Sequence, residues 1–212
     1  MAPAITPLVQ IIGSAFCWQS GLAVDGDGAP NCYHPDGKSG LDYLDNARSS
    51  MGWVGVVTDA SGRPYVQGPD DPCPGFYVSP TSLQQRDLPV YDPRRYVDSI
   101  EVPYITCTRD MRARGMLLGD VAMVSYKAHT CAAIVADVGP HPGEGSVALA
   151  RSLGIPSSPK NGGIGHGVCF VVFAKSSRAW PRTNEDIAQQ AELLFEKWGG
   201  IDKLNSLFAL VG

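Results

Sequence analysis

Residues 132–154 read AAIVADVGPHPGEGSVALARSLG, and the rest of the chain is arranged around them. An apolar run ends at Asp137, a Gly/Pro turn follows at Gly139-Pro140-His141-Pro142-Gly143, and an apolar-periodic segment restarts just after Glu144. That order predicts strand, tight loop, helix. Ser146 suits the N-cap, Val147, Ala150 and Arg151 follow at helical spacing, and Gly154 fits the position just past the helix end. Two carboxylates therefore flank one short loop.

Paired acids at a rigid junction can divide general acid and general base work, because each environment moves its own pKa. Asp137 closes a run apolar enough to be buried, which raises a carboxyl pKa. Glu144 precedes a helix N-terminus, where N–H groups and the helix dipole favour the charged form. On environment alone Asp137 is the acid and Glu144 the base. The same residues also read as a strand-end turn acid and a solvated charge before a helix.

Outward from this stretch, residues 117–124 lead into a strand, and residues 130–138 pair with it across the turn at residues 127–129. Asp120 begins one arm of that hairpin as Asp137 ends the other, which makes it a possible third acid. Upstream, residues 11–24 predict one or two strands, residues 41–47 a short helix, and residues 53–58, 65–67 and 75–79 short strands. Residues 88–99 predict an irregular connection, residues 102–107 a strand that Pro103 starts or places at an edge, and residues 109–115 a solvated basic loop. Downstream, residues 167–174 predict a strand. Thr183 or Asn184 opens a helix with Ile187, Ala191, Leu194 and Trp198 on its apolar stripe, and residues 201–211 add a second, shorter helix.

The 212 residues are 44% hydrophobic and 18% charged, which suits one folded domain over the whole chain. With 24 glycines and 17 prolines, turns are frequent and a β-rich fold is favoured over a helix bundle. The expected class is therefore a β-rich α+β domain with peripheral helices. A net charge of −4 without any basic run excludes the electrostatic footprint of nucleic-acid binding. No stretch reaches the length of a membrane span. Residues 1–16, MAPAITPLVQIIGSAF, lack a basic start, and Pro7 and Gln10 break their apolar run, so no intact secretory signal is read. A removed signal, another export route or an intracellular location all remain open on that count.

Residues 24–42, VDGDGAPNCYHPDGKSGLD, put Asp25, Asp27, Asn31, Tyr33 and His34 on one Gly-rich bend. A polar turn and a cleft-lining loop are both consistent with it. Its opening resembles a calcium loop, but Pro30 stands where the sixth-position glycine belongs and the twelfth position holds Asp36 in place of the bidentate glutamate, so an EF-hand is rejected. Six cysteines show no C-x-x-C pair, and four histidines give no i, i+4 pair. A structural zinc site is not expected, and disulfides and free thiols both stay open. No serine elbow, P-loop or dinucleotide fingerprint is present, and no cofactor is called for.

Four blocks in order resemble the chitosanases of glycoside hydrolase family 75. Asp25-Gly26-Asp27-Gly28-Ala29 is similar to an early D-x-D-G-A segment, and Val102-Pro103-Tyr104-Ile105 to an H-P-Y-V strand. Residues 118–137 follow the family's hairpin, and Gly143-Glu144-Gly145-Ser146-Val147-Ala148-Leu149-Ala150 resembles its G-E-A-S-I-S-L-A block. The loop between the acids is shorter than in fungal members. The resemblance implies Asp137 and Glu144 as catalytic acids of an inverting hydrolase of β-1,4-linked glucosamine polymers, without metal or organic cofactor. The expected protein is a monomer acting outside the cell on a polysaccharide, and the expected architecture is a partly closed, double-psi-like barrel of six strands. Chitosan is polycationic, so Asp25, Asp27, Asn31, Tyr33, His34 and Asp120 become candidates for substrate binding, and Tyr33 or Trp53 for stacking on sugar faces. A hydrolase of peptidoglycan or another amino-sugar polymer, or a non-catalytic glycan-binding module, are the competing readings.

Overall fold

The computed structural model describes residues 7–50 and 52–208. Among the described residues nine strands are formed: β1 Gln10–Ile12, β2 Ala15–Asp25, β3 Arg48–Ser49, β4 Gly52–Trp53, β5 Tyr104–Cys107, β6 Val121–Tyr126, β7 His129–Val138, β8 Glu144–Ser146 and β9 Ile164–Phe173. Four α-helices accompany them: α1 Arg109–Ala113, α2 Val147–Ser152, α3 Asn184–Trp198 and α4 Gly200–Phe208. Six strands run in the order β2-β8-β5-β7-β6-β9, and β9 pairs back onto β2, so the barrel closes and β1 extends it from β2. Closure satisfies the edge N–H and C=O groups that an open sheet would leave unpaired. The β-rich α+β class and the six-stranded barrel with outer helices are therefore as expected, with the barrel closed instead of partly closed.

Strand alternation sorts the apolar residues into two layers. Phe16, Trp18, Ala122, Val124, Ala133, Val135, Phe170 and Val172 form the barrel interior, where Trp18 stacks flat on Phe170 at 4.7 Å. Their neighbours Cys17, Val121, Met123, Ile134, Ala136 and Val171 face outward under α3 and α4, against Ile187, Ala191, Phe195 and Leu204. The alternation covers both faces, so these strands are apolar throughout.

The helix signals of the sequence are used as expected. Ser146 Oγ accepts the Leu149 N–H at 3.1 Å at the start of α2, and Gly154, just past its end, has φ +67°. Thr183 caps α3 by accepting the Asp186 N–H at 3.2 Å. The second tail helix is α4, while residues 209–211 of the expected helix lie outside the described residues. Part of the leader reading likewise falls outside them, on residues 1–6. Residues 109–115, expected as a loop, start with α1 because Thr108 caps it.

Between β2 and β5 the chain forms a long, turn-rich insertion around a small core of Ala29, Cys32, Tyr33, Ala47 and Val56. The short helix expected at residues 41–47 is one 3-10 turn, Leu44–Ala47. The strands expected at residues 53–58, 65–67 and 75–79 reduce to β4 and isolated bridges such as Thr58 to Pro64 and Val66 to Tyr77. Glycine and proline interrupt each ladder before it extends. All six cysteines are free thiols.

Candidate active site

Asp137 reaches its position through an irregularity in β7. Ile105 of β5 is opposite Val135, but the next residue, Thr106, is opposite Asp137, leaving Ala136 as an extra residue. Unbroken alternation would put Asp137 with Val135 inside the barrel. The bulge turns it onto the outer face beside Thr106. The carbonyl of Ala136 then accepts the Leu83 N–H at 2.7 Å, which docks the loop of residues 80–83 on the same spot.

That loop supplies the support for Asp137. Its Oδ1 accepts the Ser82 O–H at 2.5 Å, the Ser82 N–H at 3.0 Å and the Val138 N–H at 2.7 Å. Glu144 begins β8, opposite Ala23 of the parallel strand β2, and its Oε2 accepts the Thr106 O–H at 3.3 Å. Gly139 makes room for it, since a Cβ there would stand 2.0 Å from Glu144 Oε2. Burial pushes both carboxyl pKa values up, and the hydrogen bonds from Ser82 and Thr106 oppose the rise. For Glu144 this corrects the sequence-based reading: it lies on a strand ahead of Ser146, and desolvation outweighs any helix-dipole effect.

Asp25 and Asp27 complete the cluster. The closest carboxylate oxygens of Asp25, Asp27 and Asp137 all lie within 4.8 Å of one another. Asp25 Oδ1 accepts the Asp27 N–H at 2.9 Å, while Asp27 Oδ1 accepts the Tyr33 O–H at 2.9 Å and the Ser79 O–H at 3.0 Å. Burial, then the charge of Asp137, pushes Asp25 up to about 7, and burial and Asp25 raise Asp27 well above the carboxylate range. Three carboxylates this close hold protons or a compensating cation at neutral pH. Oxygen ligands suit a hard cation, and an ammonium group satisfies the same geometry. These acids line a cleft of about 780 Å³ between the barrel and the insertion, with Asp42, Asp45, Asn46, Arg48, Thr81 and Pro140 around it. That volume is typical of ligand sites.

The other expected site residues are distributed differently. Tyr33 does line the cleft beside Asp27, but it is buried and its hydroxyl holds Asp27, so its ring is no stacking platform. Trp53 is covered by the Arg48 guanidinium at 4.3 Å and by the edge of Tyr77. His34 pairs with Asp36 and packs edge-on against Phe76, outside the cleft lining. Asn31 also lies outside it, with a buried Oδ1 that has no partner. Asp120 is a structural tie: its carboxylate accepts the N–H groups of Leu117, Ser176 and Ser177 at 2.8, 2.8 and 2.9 Å. Hairpin register alone placed it near Asp137, whereas its side chain turns to the loop after β9.

Ser82, Ser79 and Thr106 support the acids but were not expected there. Ser79 and Ser82 belong to short turns, where hydroxyl residues are ordinary. Thr106 alone carries a signal, as a polar residue inside an apolar strand. A larger cavity, about 1100 Å³, lies across the loop of residues 138–142 and gathers Arg109, Arg114 and His141 but no paired carboxylates. Set against models of known protein families and against curated protein sequences, the chain matches none.

Proposed function

We propose that the protein is a glycoside hydrolase that cleaves a β-1,4-linked amino-sugar polymer of the chitosan type with inversion. The observation that carries this reading is the joining of Asp137 and Glu144 to the Asp25–Asp27 cluster in one cleft. A pair of half-buried carboxyls with raised pKa values supports acid–base chemistry on a glycosidic bond. The neighbouring aspartates suit the ammonium of glucosamine, whose positive charge replaces the protons they hold when the cleft is empty.

The donor count assigns the roles. Three donors on Asp137 Oδ1 favour its ionised form, which fits the general base that activates water. Glu144 has one longer hydrogen bond and fits the acid that protonates the leaving oxygen. This reverses the assignment that sequence environment favours. Binding needs no organic cofactor in this scheme, and a polymeric substrate fits work outside the cell by a monomer.

One observation favours a second substrate. Arg48 lines the cleft and sits over Trp53, yet it has no carboxylate partner among the described residues. A guanidinium at the rim suits an amino sugar that also bears a carboxylate, as peptidoglycan does. Reducing-end release from highly deacetylated chitosan, measured beside turbidity loss of purified cell walls, separates the two. Saccharide binding without new reducing ends from either would overturn hydrolysis and leave a binding module.

A further inference from the structure

We infer that the cleft continues past Glu144 into a second, uncharged half, a trough that binds neutral, N-acetylated units of the polymer. The identity of the sugar rests on the amino-sugar hydrolase reading. The trough itself is a cavity of about 550 Å³ between β2, the start of β9 and the loop of residues 141–143. It shares Ala23 and Glu144 with the acid cleft, so Glu144 stands on the divide between two adjoining spaces.

The halves differ in charge. The acid cleft is lined by Asp25, Asp27, Asp42, Asp45 and Asp137, with Arg48 as the single basic residue against them. Besides Glu144 and the imidazole of His141, the trough is lined by no ionisable side chain: no aspartate, lysine or arginine. A glycosidic bond held at Glu144 carries sugar on both sides, so each half must accept part of the chain. An ammonium entering the trough would lose water without gaining an anion, which is unfavourable. An acetylated amine carries no charge and meets no such cost. The acid half then selects the free amine, and the trough binds the neutral unit more tightly than glucosamine, which it still admits during cleavage of deacetylated polymer.

The trough wall is built largely of main chain. Cβ atoms at Gly21, Gly143 and Gly163 would come within 2.4, 2.5 and 2.5 Å of Ile164 O, Ser20 Oγ and Leu22 O, so packing of the surrounding segments requires these glycines. Gly165 is different. A Cβ there meets nothing within 4 Å, so the fold tolerates a side chain at a position that lines the trough.

The test is an amide NMR titration in an Asp137→Asn background, which prevents turnover, with tetra-N-acetylchitotetraose and with the glucosamine tetramer. The acetylated tetramer is expected to shift the Gly163 and Gly165 amides, and the glucosamine tetramer those of Asp25 and Asp27. Adding Gly165→Trp is expected to weaken the acetylated tetramer at least about ten-fold, without changing the melting temperature or glucosamine binding. Unmoved Gly163 and Gly165 amides, or equal affinity in Gly165→Trp, would overturn the proposal. Trough binding as described, with no reducing ends released by the wild type from any amino-sugar polymer, would uphold the trough and overturn the hydrolase reading instead.

Discussion

Thr106 and Asp137 face each other across the β5–β7 ladder one step beyond a bulge, and the Thr106 hydroxyl donates to Glu144 Oε2 at 3.3 Å. One buried threonine thus stands between the two candidate catalytic acids. Replacing it by valine keeps shape and removes the donor. The charged form of Glu144 loses support and its pKa rises further, so the acid stays protonated to higher pH. The basic limb of the pH–rate profile for Thr106→Val is expected to move up by as much as about one unit. An unmoved basic limb would contradict the assignment of Glu144 as the acid.

Ser82→Ala acts on the opposite limb. It removes the 2.5 Å hydroxyl donor to Asp137 Oδ1 and leaves the two N–H donors in place. The Asp137 pKa rises, and the base must be deprotonated to work. The acidic limb is expected to move up by about one to two units, with activity lost more at pH 5 than at pH 8. A uniform loss across pH would indicate that Ser82 only holds the loop.

Asp25→Asn separates stability from binding. Burial and the charge of Asp137 put the folded Asp25 at about 7, whereas an unfolded aspartate titrates near roughly 4. The native state therefore binds a proton that the unfolded state releases between those values. Stability from this group is complete below about pH 4 and is lost as pH rises through about 7. Asparagine removes the loss, so the variant should melt several degrees above wild type at pH 8 and little differently at pH 4, at about 2–4 °C per kcal/mol. Chitosan affinity should fall in the same variant. Equal melting temperatures at pH 8 would show that Asp25 is not held protonated.

Gly139→Ala tests position alone. The new Cβ would lie 2.0 Å from Glu144 Oε2 and 3.0 Å from Thr106 Oγ1. Glu144 can swing away at its flexible end, so the fold should persist. A displacement of about 1 Å at a catalytic group costs on the order of 100-fold in rate, and kcat/KM is expected to fall by that much with thermal stability nearly unchanged. Retained activity would remove Glu144 from the chemistry.

Local signals were legible and long-range ones were not. Ser146, Gly154 and Thr183 announced their helix ends because a cap depends on residues within one turn. The loop carrying Asp137 and Glu144 was legible for the same reason. The strand nature of Glu144 was hidden, because β8 is three residues long and exists through its parallel pairing with β2. The bulge at Ala136 depends on the register with β5, which no local pattern encodes. Asn31 and His34 looked like site residues from polarity alone, and their loop turns them away from the cleft that Asp25 and Asp27 enter.

The central claim is that Asp137 and Glu144 act together on a glycosidic bond. The most direct test follows product anomers by NMR as highly deacetylated chitosan is digested by wild type, Asp137→Asn and Glu144→Gln. Water delivered to the face opposite the leaving group inverts a β-linkage, so the α-anomer should appear first with wild type, and both variants should lose activity by at least about 100-fold. Early β-anomer, or near-wild-type turnover in either variant, would contradict the account.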